Sequence, residues 1–388
     1  MSQLAIEYID RPAQLAPLIA RLAQVEWVAV DTEFLREKTY YPQFCLLQLA
    51  TPDWVTCVDP LALPKLDPLF DALFRSSLLK VFHSARQDLE IFYHLTGRLP
   101  TPVFDTQIAA PLLGLQENPG YGMLVSTLLN VNLTKAHTRT DWSQRPLTTE
   151  QLRYAADDVI YLGQIYRIIT ARLAELGRSD WLGDDFAQLT DMRYYQAPPQ
   201  DAWYKIKGKN KLTGKQLSVM QTLAEWRESQ AQKENRPRNW LMRDDLLLEV
   251  AKLQPETPEQ LLAIRGMHER LVKRHGALLC QLIREAQQRP PIKLESAHKT
   301  AKRTPHHEAI IDLLSAVVRV RAEEQGMNPV SLATRRDLEQ LLYEPEASCL
   351  CQGWRNNLIG KELLGLLRGS ASLHIENERM VITPHTPQ

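Results

Sequence analysis

No apolar run in this 388-residue chain approaches the roughly 20 residues that a membrane-spanning helix needs, so no membrane partner is expected. The opening Met1-Ser2-Gln3-Leu4-Ala5-Ile6-Glu7 lacks the basic and apolar stretches of a secretory signal. Cysteine is scarce. Cys45, Cys57, Cys280, Cys349 and Cys351 are odd in number, widely scattered and without a CxxC pair. That argues against a disulfide framework and a Cys/His zinc centre, and fits free thiols in a reducing cytoplasm. Net charge is absent as well, 46 basic residues balancing 46 acidic ones. The balance is uneven along the chain: residues 1–195 hold 17 basic against 23 acidic side chains, and residues 196–388 hold 29 against 23. An acidic half that gathers cations and a basic half that holds a polyanion is one reading, and chance variation on solvated surfaces is the other.

With 44% hydrophobic and 24% charged residues, the chain has an ordinary globular composition and the length of two to three domains. The first half alternates strand and helix signals. Val25–Val30, Phe44–Thr51, Val55–Val58 and Leu78–Phe82 are expected strands. Helices are expected after Ser84, from Phe104-Asp105-Thr106 and from Gly120–Gly122. Another runs from a Thr148/Gln151 capping box to about Leu176. After Pro198-Pro199 the strand signals vanish and helical patterns take over. They are expected over Lys215–Lys233, Asp244–Leu253, from Thr257, and from His268 to about Gln288. A polar, basic linker runs from Arg289-Pro290-Pro291 to Thr304-Pro305. Beyond it, Asn328-Pro329 and Arg335-Arg336-Asp337-Leu338 echo Asn235-Arg236-Pro237 and Arg243-Asp244-Asp245-Leu246 at offsets of 93 and 92, the mark of a repeated helical unit.

The chemistry is written in acids. Asp31 and Glu33 end an apolar strand and, two apart, point to the same face. Asp88 follows His83-Ser84-Ala85-Arg86-Gln87. Tyr154 and Asp158 are four apart on one helix face, from which Asp157 points about 100° away. Hard divalent cations prefer such oxygen ligands. A pair of them roughly 4 Å apart can activate water, offset charge and stabilise the leaving oxygen of a phosphodiester. Each fragment alone has a bland reading: a DxE after a strand, an acid at a helix start, a half-buried aromatic beside a surface charge. Their combination in this order is far more specific.

Asp31-Thr32-Glu33-Phe34, His83 through Asp88-Leu89-Glu90, and Tyr154-xxx-Asp158-Val159-x-Tyr161-Leu162 together resemble the three motifs of the ribonuclease D family, the DEDDy class of 3′-to-5′ exoribonucleases. Thr39-Tyr40-Tyr41-Pro42, Phe104-Asp105-Thr106-Gln107 and Arg139-Thr140-Asp141-Trp142-Ser143 add to the resemblance. It implies an α/β ribonuclease H-like exonuclease domain over 1–200, followed by two all-α HRDC-like domains over 210–292 and 305–380. It also implies two divalent ions, Mg²⁺ or Mn²⁺, held by Asp31, Glu33, Asp88 and Asp158, with Tyr154 orienting the attacking water. Tyr154 would act as base only if its pKa fell from about 10. Glu33 and the backbone around Thr32 and Phe34 would receive the 3′ terminus. His83 and Trp142 have either substrate or core roles, and Asp105 a structural one.

The acid-free run Lys205, Lys207, Lys209, Lys211 and Lys215, beside Trp203 and Tyr204, suits single-stranded RNA or a solvated hinge. The implied protein is a cytoplasmic, monomeric exoribonuclease releasing 5′-mononucleotides from tRNA precursors with 3′ extensions. Two other readings share these motifs: a single-strand DNA 3′-to-5′ exonuclease, and a non-catalytic nucleic-acid-binding module. A broken motif residue would favour the module, and none is broken.

Overall fold

The alternation begun at Trp27 does not stop at the carboxylates. In the computed structural model the strand runs from Trp27 to Leu35, so Asp31 and Glu33 belong to the strand itself. The structure describes residues 4–63, 65–133, 140–293 and 304–385. Met1–Gln3, Arg139 of one motif run and residues 294–303 of the expected linker lie outside them.

Six strands form one mixed sheet: β1 Ile6–Ile9, β2 Trp27–Leu35, β3 Gln43–Ala50, β4 Val55–Val58, β5 Leu79–Phe82 and β6 Val103–Asp105. Their spatial order is β1-β4-β3-β2-β5-β6. Parallel pairs are β1 with β4, β2 with β5 and β5 with β6, while β3 and β4 are antiparallel. Two of these strands, β1 and β6, escape the sequence expectation. Of the Phe104-Asp105-Thr106 run, expected to open a helix, Phe104 and Asp105 first complete the sheet edge with Val103. The helix starts one residue later with Asp105 as its N-cap.

Helices α1 Leu15–Leu22, α2 Asp67–Leu73, α3 Arg86–Thr96, α4 Thr106–Ala109, α5 Tyr121–Leu129, α6 Thr149–Glu175 and α7 Gly183–Leu189 complete this part of the chain. The Thr148/Gln151 capping box starts α6. This long helix lies close on β2 because residue 163 has no side chain: a Cβ there would stand 3.1 Å from the Trp27 ring. Trp27 also packs on Tyr166 with ring centres 4.9 Å apart. Asp158 and Tyr154 thereby come to a defined height above the strand.

Then come α8 Gly214–Glu234, α9 Arg238–Leu241, α10 Asp244–Leu253, α11 Pro258–Leu262 and α12 Glu269–Gln288. The last stretch carries α13 Pro305–Glu324, α14 Pro329–Leu332, α15 Arg335–Tyr343, α16 Gly353–Arg355 and α17 Lys361–Leu367. The two stretches share the series long helix, one-turn helix, helix. The second ends differently, in a hairpin of β7 Ala371–Glu376 and β8 Arg379–Pro384. The expectation of no strands after Pro199 fails there. Asn377 and Glu378 both take positive φ, as a two-residue turn with the strands' own twist requires.

Compact units do not follow chain order. One contains Met1–Glu33, Cys45–Asp191 and Thr300–Gln388, and the other Phe34–Phe44 with Met192–Lys299. In the first unit, buried residues of α6 and of α13–α17 share one core. Trp181 and Trp354 stack 4.6 Å apart and nearly parallel, and buried Arg178 donates to the carbonyls of Leu112 and Gln325. In the second unit, α8 clasps the 34–44 segment. The Asn235 side chain accepts from the Tyr40 and Tyr41 amides at 3.1 and 3.0 Å, and Tyr40 donates its hydroxyl to buried Glu228 at 2.5 Å. No helix among the described residues is long and apolar enough to cross a membrane.

Candidate active site

Pleating places Asp31 and Glu33 on one face of β2, and α6 brings Asp158 to them. Carboxylate oxygens of all three lie within 4.8 Å of one another. Like charges so close, with little water to screen them, resist ionisation. Burial first, offset in part by the Thr32 backbone amide, pushes Asp31 up to about 7. Burial and then the charges of Asp31, Asp158 and Asp88 push Glu33 up to about 10. Burial, then Asp31 and Asp157, push Asp158 up to about 8.

Asp88 stands in the first turn of α3, which follows β5 through a tight bend at Ser84 with φ 63°. It is buried and lies outside the trio of closest oxygens. Thr32, the strand residue between the two acids, donates its hydroxyl to Asp88 Oδ1 at 2.5 Å. Burial and the neighbouring Asp31 raise the Asp88 carboxyl well above the usual range. An acidic, partly desolvated, oxygen-only donor set of this kind fits a hard divalent cation, whose charge would offset the repulsion.

Tyr154 sits one helical turn before Asp158. Burial, then the charges of Asp158, Glu33 and Asp31, raise its phenol above its ordinary value, which suits a hydroxyl that keeps its proton. Trp142 is buried, its ring centre 6.1 Å from that of Tyr154, so it packs the phenol from behind. Arg145 anchors this segment through a bidentate pair with Asp59 and bonds to the carbonyls of Trp142 and Cys45. His83 is half-buried. Thr106 gives its hydroxyl proton to the Phe82 carbonyl and so takes the His83 Nδ1 proton at 3.0 Å. Burial lowers the His83 pKa.

Asp105 accepts from the amides of Ser84, Ala85 and Gln107, the structural acid it was expected to be. Asp157 turns aside to Arg153 at 2.7 Å. Phe34 follows Glu33 on β2. The lysine run lies elsewhere, in the second unit. Lys205, Lys207 and Lys211 are exposed, while Lys209 bonds to the carbonyls of Tyr204 and Ile206. Of the two aromatics expected beside them as a stacking surface, Tyr204 is 60% exposed, while Trp203 is buried in that unit's core and has no face to offer. Leu217, Met220 and Leu223 of α8 belong to the same cluster, and the aromatic ring is more stable there than in water.

One residue of the site went unread in the sequence. Tyr121, at the start of α5, donates its hydroxyl to the main-chain carbonyl of Asp158, with that of Asp157 at 3.2 Å. It props α6 at the turn that carries the ligand. A lone tyrosine between Gly120 and Gly122 carries no periodic signal, and only the fold brings it to α6.

Residues 6–174 match the model of a 3'-5' exonuclease family, and residues 216–283 that of the HRDC domain. Ribonuclease D of Nitrobacter hamburgensis is 38% identical over 97% of this chain and 99% of its own length. That of Pseudomonas paraeruginosa is 37% identical over 94% and 98%. The crystal structure of Escherichia coli RNase D, described as an exoribonuclease involved in structured RNA processing, superposes with a TM-score of 0.80. It is 30% identical and covers 94% of this chain and 99% of that one. Matched over nearly its full length by these relatives, this chain belongs to the ribonuclease D family of metal-dependent 3′-to-5′ exoribonucleases.

Proposed function

We propose that this chain trims 3′ extensions of tRNA precursors in the cytoplasm, as a monomer, releasing one 5′-mononucleotide at a time. The observation that carries the reading is the convergence of Asp31, Glu33 and Asp158 within 4.8 Å, with Asp88 held beside them by Thr32. Asp31, Glu33, Asp88 and Asp158 would hold two divalent cations, Mg²⁺ or Mn²⁺. Such ions would lower the pKa of a bound water and offset the charge that develops at the phosphate under attack. Tyr154 keeps its phenol proton and orients the water by hydrogen bond, because the same acids that gather cations oppose phenolate formation. Glu33 accepts the terminal 3′-hydroxyl, and the Thr32 and Phe34 backbone flanks it. His83 serves as a neutral ring at the edge of the site, its Nδ1 proton given to Thr106. Trp142 shapes the back of the site without stacking on substrate. The exposed lysines 205, 207 and 211, with Lys209 shaping their loop, offer phosphate contacts. Five free cysteines support a reducing compartment.

A 5′-labelled tRNA with a single-stranded 3′ extension tests this directly. With Mg²⁺ or Mn²⁺ it should give a descending ladder that stalls near the acceptor duplex, and with EDTA no product. The same RNA ending in a 3′-phosphate should resist, because its charge meets Glu33 in a site already crowded with carboxylates. Equal digestion of circular RNA, or faster digestion of single-stranded DNA, would defeat the proposal.

A further inference from the structure

Besides Tyr204, the second unit exposes a tryptophan. Trp240 on α9 is 54% exposed, an unusual position for the residue with most apolar surface to hide. The Arg236 guanidinium sits 5.9 Å from the centre of its ring. Arg238 and Arg243 flank it in the sequence and keep 41% and 75% of their side-chain surface exposed. Two acids that balance these arginines lie behind them: Glu228 pairs with Arg238, and Glu234 with Arg236 and Arg274, both acids being largely buried. Arg243 pairs instead with Asp245, which is 70% exposed, so only Arg236 and Arg238 have their counter-charges turned inward.

Leu241, the chain neighbour of Trp240, lines a groove of about 670 Å³ together with Met242 and Ile264. Asn239, Arg243, Arg265 and His268 also line it, together with Asp245 and Glu249. The volume falls within the range of pockets that enclose small organic ligands (about 300–1,000 Å³). Exposed indole, outward cations and an adjoining amphipathic groove are the components of a single-strand nucleic-acid surface. Such surfaces stack bases on aromatic rings and track phosphates with basic side chains.

We infer that Trp240 is a base-stacking platform for single-stranded RNA, with Arg236 on its ring and Arg243 and Arg265 taking phosphates along the groove. The inference rests on the exoribonuclease reading only for the choice of RNA as the polyanion. It extends that reading from the carboxylates to the first helical repeat, and gives the HRDC match a contact of its own.

The test is RNA binding by the full chain in EDTA, where nothing is digested. A 5′-fluorescent oligouridylate serves as probe, and thermal melting confirms that each variant is folded. Trp240→Ala should raise Kd roughly tenfold, and Trp240→Phe, which keeps an aromatic face, by no more than about threefold. Arg243→Gln with Arg265→Gln should flatten the dependence of log Kd on log salt by about 1.4, two phosphates at about 0.7 each. Dinucleotide hydrolysis with Mg²⁺, which needs only the carboxylate site, should be unchanged in Trp240→Ala. An unchanged Kd in Trp240→Ala, or an equal loss in Trp240→Phe, overturns the assignment and leaves the exposed indole to a protein partner. A wild-type chain that binds the probe in EDTA but never shortens RNA with metal present would sink the exonuclease reading. Trp240 would still be judged by its own Kd ratio.

Discussion

Thr32 donates its hydroxyl to Asp88 across 2.5 Å, so the residue that faces away from the two strand carboxylates aims the third acid. A strand with acids at alternate positions has its middle residue on the opposite face. Here that residue is a buried hydroxyl tying β2 to the first turn of α3.

Thr32→Val keeps the shape and deletes that donor. Residues that orient metal ligands typically contribute 10–100-fold to metal affinity or activity. The half-saturating Mn²⁺ concentration is expected to rise by about 10-fold with little change at saturation. A cation titration superimposable on that of the parent would show that Asp88 orients itself.

Asp31→Asn should abolish cleavage and change the pH dependence of stability. Asp31 and Asp158 are pushed up to about 7 and 8 in the folded chain, against about 4 when unfolded. Folded values above unfolded ones mean that these groups stabilise most below about pH 4, and that the contribution is lost as pH rises through 7 to 8. In EDTA the parent's Tm should fall between pH 5 and pH 8 more steeply than that of Asp31→Asn. Added Mg²⁺ should restore more stability at pH 8 than at pH 5. Parallel Tm curves for parent and variant would contradict the raised carboxyl pKa values that burial produces here.

Tyr154→Phe keeps the ring that packs on Trp142 and removes only the phenol oxygen. If that oxygen orients water, its loss acts in the transition state. The expected result is a kcat lower by about 10²-fold with KM within a few-fold. A raised KM at unchanged kcat would make Tyr154 a binding residue.

Trp354→Ala probes how the last helical stretch is held in the first unit. Trp354 is buried, stacks on Trp181, and carries Arg355 over its ring at 4.3 Å. Truncating a buried tryptophan costs about 3–5 kcal/mol, which should lower Tm by roughly 10 °C in urea-free buffer. A loss below about 1 kcal/mol would mean that residues 304–385 contribute little to that core.

Tyr40→Phe leaves the Glu228 carboxylate, 3% exposed, without its hydroxyl partner. An unsatisfied buried acceptor of this kind costs about 1–3 kcal/mol. Urea denaturation should show the midpoint falling while dinucleotide hydrolysis continues.

Much of this was legible before any coordinates. The capping boxes at Thr148 and the bounds of Val55–Val58 and Asp244–Leu253 rest on local chemistry: a side chain bonding its own helix start, an apolar run between turns. So does the facing of Asp31 with Glu33 and of Tyr154 with Asp158, which follows from the periods of strand and helix. Strands β1 and β6 were not legible, because Glu7 breaks the apolar run of Ile6–Ile9 and Asp105 gives the end of Val103–Asp105 the look of a helix start. The hairpin β7–β8 was passed over because its surroundings are helical.

Sequence alone determined the chemical inventory of this protein and its family: four acids and a tyrosine in fixed order, each on an element whose period aims it. Tertiary structure decided which of them meet. The glycine at 163 lets α6 settle on Trp27, Tyr121 props the Asp158 carbonyl, and Thr32 turns Asp88 inward. It also decided that Trp203 is core while Trp240 faces water, a distinction no local pattern carries. Burial is a property of the packed whole. The same indole is favourable inside one cluster and left over at the edge of another, according to which neighbours the chain brings round to cover it.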